Sequence, residues 1–145
     1  MARYVSSALG ATVPTALRPA LSVYSIAGVG YELREAAAFN TTATACRNAL
    51  TRLTAAGTPG TGQVEGKYDP DSLAASATAF ITHTADATAG DRLHVMPCGA
   101  AIGAGTILTF YDRGIEVAVG TANGIGIVLL TGTAQIIDCH MVWDE

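Results

Sequence analysis

His83, His94, His140, Cys46, Cys98 and Cys139 are the side chains through which this 145-residue chain could most readily do chemistry. Asp138 and His140 are two apart, so in a strand they share a face, where a carboxylate could hold the imidazole in one tautomer as in a catalytic triad. No serine sits in a Gly-x-Ser-x-Gly turn to complete that triad, and the preferred reading is a structural hydrogen bond or a solvated pair. His94 and Cys98 are four apart, and Cys139 precedes His140. Yet the chain has no Cys-x-x-Cys, His-x-His or His-Glu-x-x-His run, and strand alternation sends Cys139 and His140 to opposite faces. No zinc site is therefore expected. Asp69 and Asp71 are alternate acids of one loop and could share a calcium ion, but turn capping is the favoured role.

The glycines suggest phosphate cradles and then fail the pattern. Gly62-Gln63-Val64-Glu65-Gly66-Lys67-Tyr68 contains the Gly-Lys of a phosphate-binding loop, but its first glycine is one residue too close. Tyr68 also stands where a Ser or Thr would hold magnesium. Gly28-Val29-Gly30 follows a strand-like run, but Leu33 takes the place of the third glycine and a strand follows instead of a helix. Glycoside hydrolysis needs two acids aimed into a cleft with aromatic platforms. The acids here gather in turn-like segments (Asp69, Asp71, Asp86, Asp91, Asp112), and the one tryptophan, Trp143, lies almost at the end. The residues thus predict no catalytic, cofactor-binding or metal-binding constellation, no cofactor, and a protein that is not an enzyme.

The elements that would have to position any site read as strands. Strand-like runs occupy 3–8, 20–27, 31–38, 77–85, 92–97, 105–111, 114–119, 124–131 and 134–143. Along 20–27, Leu21 and Val23 oppose Ser22 and Tyr24, and along 77–85, Ala77, Ala79, Ile81 and His83 share one face. Residues 43–54 are ambiguous: Ala43, Cys46, Ala49, Leu50 and Leu53 fit a helical stripe, whereas the threonines favour a strand, and a strand is preferred. Asp69-Pro70-Asp71-Ser72 can start a single helical turn through Ala75. The Gly57–Gly62 run reads as a surface loop, and Asn123-Gly124 as a hairpin pair, since both residues tolerate positive φ. Short strands separated by glycine-containing turns predict an all-β fold. The expectation is a single-domain antiparallel β-sandwich of about eight or nine strands, jelly-roll-like or immunoglobulin-like, with the choice of topology open. Residues 1–19, with Pro14 and Pro19, form either an extended N-terminal arm for gripping a partner or a first strand; residues 20–145 form the sandwich.

Composition narrows the function classes. Charged residues are 14% of the chain and hydrophobic ones 50%, so the chain is too apolar for intrinsic disorder. A net charge of -4 argues against nucleic acid of the basic-patch kind. No apolar run nears the ~18–20 residues of a membrane-spanning helix, and the N-terminus lacks the apolar core of a signal peptide. Ala, Thr and Gly supply 27, 18 and 16 residues, and lysine occurs once, at Lys67. A surface so short of charge is best explained by burial against partners. Three cysteines are too few and too odd in number for a disulfide scaffold, so they are expected to be reduced and buried. Trp143, Met141 and Val142 read equally as core or interface.

Several segments resemble small structural proteins of tailed-bacteriophage virions: Arg18-Pro19-Ala20-Leu21-Ser22-Val23-Tyr24, Phe39-Asn40-Thr41-Thr42-Ala43, Ala49 through Thr58, Lys67 through Ser72, Asn123 through Ile127, and Val142-Trp143-Asp144-Glu145. The resemblance spans most of the chain and carries no functional residues to transfer. It implies a capsid decoration or cement protein that binds the major capsid protein lattice and itself, as a homodimer or homotrimer. No nucleic-acid or membrane partner is implied, and the location would be the capsid surface after assembly in the host cytoplasm. The alternatives are a tail or neck accessory subunit, and a small-ligand or carbohydrate-binding β-sandwich.

Overall fold

β-Branched and small residues in alternating runs, broken by glycine and Asx turns, leave the chain little choice but extended structure. The structure is a computed structural model that describes residues 1–13, 17–55, 60–132 and 134–145, with Val13 described by its backbone alone. Among these residues there is no helix. The strands are β1 (Arg3–Val13), β2 (Leu21–Tyr24), β3 (Tyr31–Asn40), β4 (Cys46–Ala55), β5 (Thr61–Gln63) and β6 (Gly66–Lys67). They continue with β7 (Thr78–Ile81), β8 (Thr88–Cys98), β9 (Gly105–Thr109), β10 (Ile115–Val117), β11 (Gly124–Thr131) and β12 (Gln135–Asp144).

Two six-stranded antiparallel sheets face each other. The first has the order β10-β3-β12-β1-β6, with β9 pairing the same strand, β3, further along; the second has β5-β7-β2-β11-β4-β8. The pairs nest: β1 with β12, β2 with β11, β3 with β9 and β10, β4 with β8. A chain folded back on itself in this way, with β1 to β4 alternating between the sheets, is a β-sandwich with jelly-roll-like nesting of its strand pairs. The strands number twelve rather than the expected eight or nine; the two that no strand-like run foreshadowed are β5 and β6, of three and two residues, which pair with β7 and β1.

The core lies between the sheets. Leu33, Ile137, Met141 and Trp143 from the first meet Leu21, Val23, Leu50, Met96, Ile125, Ile127 and Leu129 from the second, all fully or almost fully buried. Trp143 stacks obliquely between Tyr4 and Tyr31, at centroid distances of 6.1 and 6.2 Å. It belongs to the core.

The outer faces of the sheets differ. On the second sheet, residues 17–20 and 82–88 lie across Ser22, Tyr24, Thr51, Leu53 and Val128. Pro19 sits above Gly126, where an added Cβ would be 3.2 Å from the proline ring. Ala20 donates to Ile127 O, Ala87 donates to Leu17 O, and Arg18 pairs with Asp86. This cover explains the ambiguity at 43–54. β4 is buried on both faces, Cys46 and Leu50 inward, Ala49 and Leu53 outward, so its apolar residues do not alternate and mimic a helical stripe.

Of the two readings of the N-terminal residues, the first strand holds for 3–13, which pair with β12 along their length with Tyr4, Ser6 and Ala8 buried; 14–16 lie outside the described residues. A bulge at Gly10, with φ +59°, shifts the register between Ala8 and Ala11. The 69–75 segment is not helical: Asp69 closes an Asx turn, its Oδ1 accepting the Asp71 N–H. Of the expected Gly57–Gly62 loop, 57–59 lie outside the described residues, and Thr61 and Gly62 belong to β5. Asn123-Gly124 is not a hairpin turn, because β10 and β11 belong to different sheets; it is part of an arch between them.

Candidate functional site

Each residue considered for chemistry has a structural place. His140 and Asp138 share the outer face of the first sheet, as expected, but do not pair. His140 Nε2 lies 2.8 Å from Glu35 Oε1 of β3, and Asp138 Oδ1 accepts the Gly10 N–H of the bulge at 2.7 Å. His94 is exposed, its ring 5.5 Å from Phe110, whereas Cys98 is buried in the core. Among the described residues no three His, Cys, Asp or Glu side chains come together to hold a metal ion. The glycines of the Gly62–Lys67 segment lie in β5 and β6, and Lys67 Nζ donates to Ser72 O. The three cysteines are free thiols and buried.

One pair escapes the sequence reading. Alternation places His83 on the same face as Ala79 and Ile81, but β7 ends at Ile81 and Thr82 has φ +51°, which takes the chain out of the sheet. His83 Nε2 then lies 2.8 Å from Ser22 Oγ on the covered outer face. Burial holds the imidazole below its ordinary value, the Pro19 carbonyl opposing that shift. A serine beside a histidine is a nucleophile and base by type. Here both are buried, at 0 and 7% exposure, so the contact serves to pin the 82–88 cover. Its only signal in the sequence is positional: a histidine directly after the threonine at which the strand ends.

The first sheet leaves its outer face open. One row across it reads Ile107, Ala37, His140, Ser7, and the next reads Thr109, Glu35, Val142, Val5. At its edge a hollow of about 260 Å³ is walled by Arg3, Arg34, Glu35, Tyr68 and Tyr111 over a Val142 floor. Tyr68 is 61% and Tyr111 88% exposed, and Leu9, further along β1, is 84% exposed. The two arginines are held rather than loose. Arg3 donates to both oxygens of Asp144 (2.7 and 2.9 Å), and Arg34 Nε donates to Asp144 Oδ2 at 2.7 Å. Arg34 also pairs with Glu32 at 2.6 Å. The hydrogen bonds from Arg3, then Arg34, hold the Asp144 carboxyl below the usual carboxylate range against a burial penalty. Arginine and tyrosine are residue types enriched at protein–protein interfaces.

A second hollow of about 270 Å³, near Glu32, Glu116 and Asp144, is acidic. There the Glu145 carboxylate is fully engaged, accepting from Ser76 N, Ala77 N and Trp143 Nε1.

Comparison of the chain with known protein families, with curated proteins and with solved structures finds no match.

Proposed function

We propose that this chain is a non-enzymatic virion structural protein, a capsid decoration subunit that lays the open face of its first sheet on the major capsid protein lattice. The observation that carries this reading is the asymmetry of the sandwich. One outer face is closed by the chain's own 17–20 and 82–88 segments, while the other presents Leu9, Ile107, Tyr68 and Tyr111 around arginines already fixed by Asp144. Exposed tyrosines with preordered arginines lose little side-chain freedom on docking. A specific contact needs roughly 1,000 Å² or more, and a lattice multiplies a modest contact by copy number. The jelly roll occurs in capsid proteins, but equally in lectins, so the fold alone does not decide.

Self-association has a route in the same sheet. Ala2 exchanges both backbone hydrogen bonds with Glu145, so alternation turns the N–H and C=O groups of Ser7 and Leu9 away from β12. β6 pairs only with Tyr4 and Val5. The stretch Val5–Val13 carries no charge to repel a second copy.

The test is cosedimentation with expanded, undecorated capsids and, separately, with purified tails. Binding to capsids is expected, and it should fall at least tenfold in a Tyr68→Ala/Tyr111→Ala double variant that melts like the parent. A chain that stays in the supernatant at saturating capsid refutes the reading, and binding to tails alone moves it to a tail accessory subunit. A carbohydrate-binding sandwich is the second reading, favoured by the two tyrosines over the 260 Å³ hollow. It requires chemical-shift changes in those two rings on titration with oligosaccharides.

A further inference from the structure

Cys46 and Cys98 are direct cross-strand partners in the β4–β8 ladder. Directly opposed residues of an antiparallel pair have Cα atoms about 4.5–5.5 Å apart, inside the roughly 4.4–6.8 Å that a disulfide spans. Both side chains enter the core cluster. The Asn48 amide bridges them, Nδ2 being 3.4 Å from Cys98 Sγ and 3.7 Å from Cys46 Sγ. A hollow of about 200 Å³ reaches this end of the sandwich and is lined by both cysteines together with Arg47, Pro97 and Thr131. The hollow leads from solvent toward the two cysteines, which are themselves 3% and 2% exposed. Cys139 is in the other sheet, and burial pushes its thiol up to about 12.

We propose that Cys46 and Cys98 are a peroxide-responsive pair that closes to a disulfide and staples the edge strand β8 to β4. In the first step one thiolate attacks hydrogen peroxide: an S–O bond forms, the O–O bond breaks, and the departing hydroxide takes a proton to leave as water. The sulfenic acid so formed is then attacked by the second sulfur. The S–S bond forms, the S–O bond breaks, and hydroxide leaves with the second thiol's proton as another water. Two thiols are oxidised and one peroxide is reduced. Burial pushes the Cys98 thiol up to about 11, so closure should quicken as pH rises.

The staple has a mechanical use. β8 is joined within its sheet only to β4, and Cys98 ends it just before the 99–104 arch to the other sheet. On the decoration reading, on which this use rests, thiols stay open during assembly in a reducing cytoplasm and close once the particle reaches oxidising surroundings.

The test takes the full-length reduced chain through graded hydrogen peroxide, traps remaining thiols with a maleimide, and maps peptides without reduction. Two thiols should disappear together, the Cys46 and Cys98 peptides should be linked within one chain, and Cys139 should be labelled. The thermal midpoint should rise and return on adding dithiothreitol. Cys139→Ser should keep the link and Cys98→Ser should abolish it. Three thiols surviving excess peroxide, sulfinic acids without a link, or links to Cys139 or between chains would each overturn the pairing. Capsid binding is scored on the same samples: its absence refutes the decoration reading, whereas the peptide map alone judges the disulfide.

Discussion

Replacing Trp143 by Ala tests whether the terminal strand is core or interface, and the structure sets the size of the answer. The indole is fully buried between Tyr4 and Tyr31. Truncating a buried tryptophan removes its transfer free energy and leaves a cavity, about 3–5 kcal/mol together. The two ring contacts fall within that figure and supply about 0.5–1.5 kcal/mol each. Trp143 Nε1 also donates to Glu145 Oε1 at 3.0 Å, but that oxygen keeps the Ala77 N–H at 2.8 Å, so no orphaned acceptor adds to the cost. In a domain of this size each kcal/mol moves the midpoint by about 2–4 °C, so the thermal midpoint should fall by roughly 6–20 °C. Trp143→Phe keeps most of the buried area and loses the hydrogen bond, at about 1–2 kcal/mol. Thermal and urea denaturation followed by far-UV circular dichroism give both numbers. An alanine variant that melts with the parent but fails to self-associate would refute the core assignment and make Trp143 an interface residue.

Asp144→Asn should cost about 1–3 kcal/mol, the lower part of that range reflecting an Arg3 that is half exposed. Because the folded pKa of Asp144 is depressed, the stability it adds is complete above its unfolded value of 3.8 and is lost as pH falls through the folded value. Urea midpoints measured between about pH 5 and 2 should therefore fall less steeply in the variant, which has no carboxylate to protonate there. His83 acts in a separate window. Its folded pKa lies below 6.5, so below that pH the unfolded chain holds a proton that the folded chain does not. Stability should therefore decline as pH drops through 6.5 and level off below the folded value, and His83→Gln should remove that step. Gly126→Val places a side chain 3.0 Å from Leu53 Cδ1 and 3.2 Å from the Pro19 ring. It should destabilise by about 1–3 kcal/mol and expose the 17–20 segment to limited proteolysis, and an unchanged cleavage pattern would count against the covered face.

Alternation along Leu21–Tyr24 and Gln135–Asp144, the β-branched runs and the glycine-rich breaks were enough to determine an all-β sandwich and most of its strands, because a strand's face is set by a period of two that needs no partner to be read. The cysteines' burial followed from their apolar neighbours in the same way. Partners were not legible, since every principal strand pairs with one distant in the chain: β1 with β12, β2 with β11, β4 with β8. For that reason the Asn123-Gly124 turn gave no sign that it arches between sheets. The helical look of 43–54 came from burial on both faces, which only the 17–20 and 82–88 cover creates. The partner of His140 is Glu35, 105 residues away, although the adjacent-looking Asp138 was the local choice. Ser22 meets His83, and Cys46 meets Cys98, for the same reason: register between distant strands, not spacing along the chain, decides which side chains share a few ångströms of space.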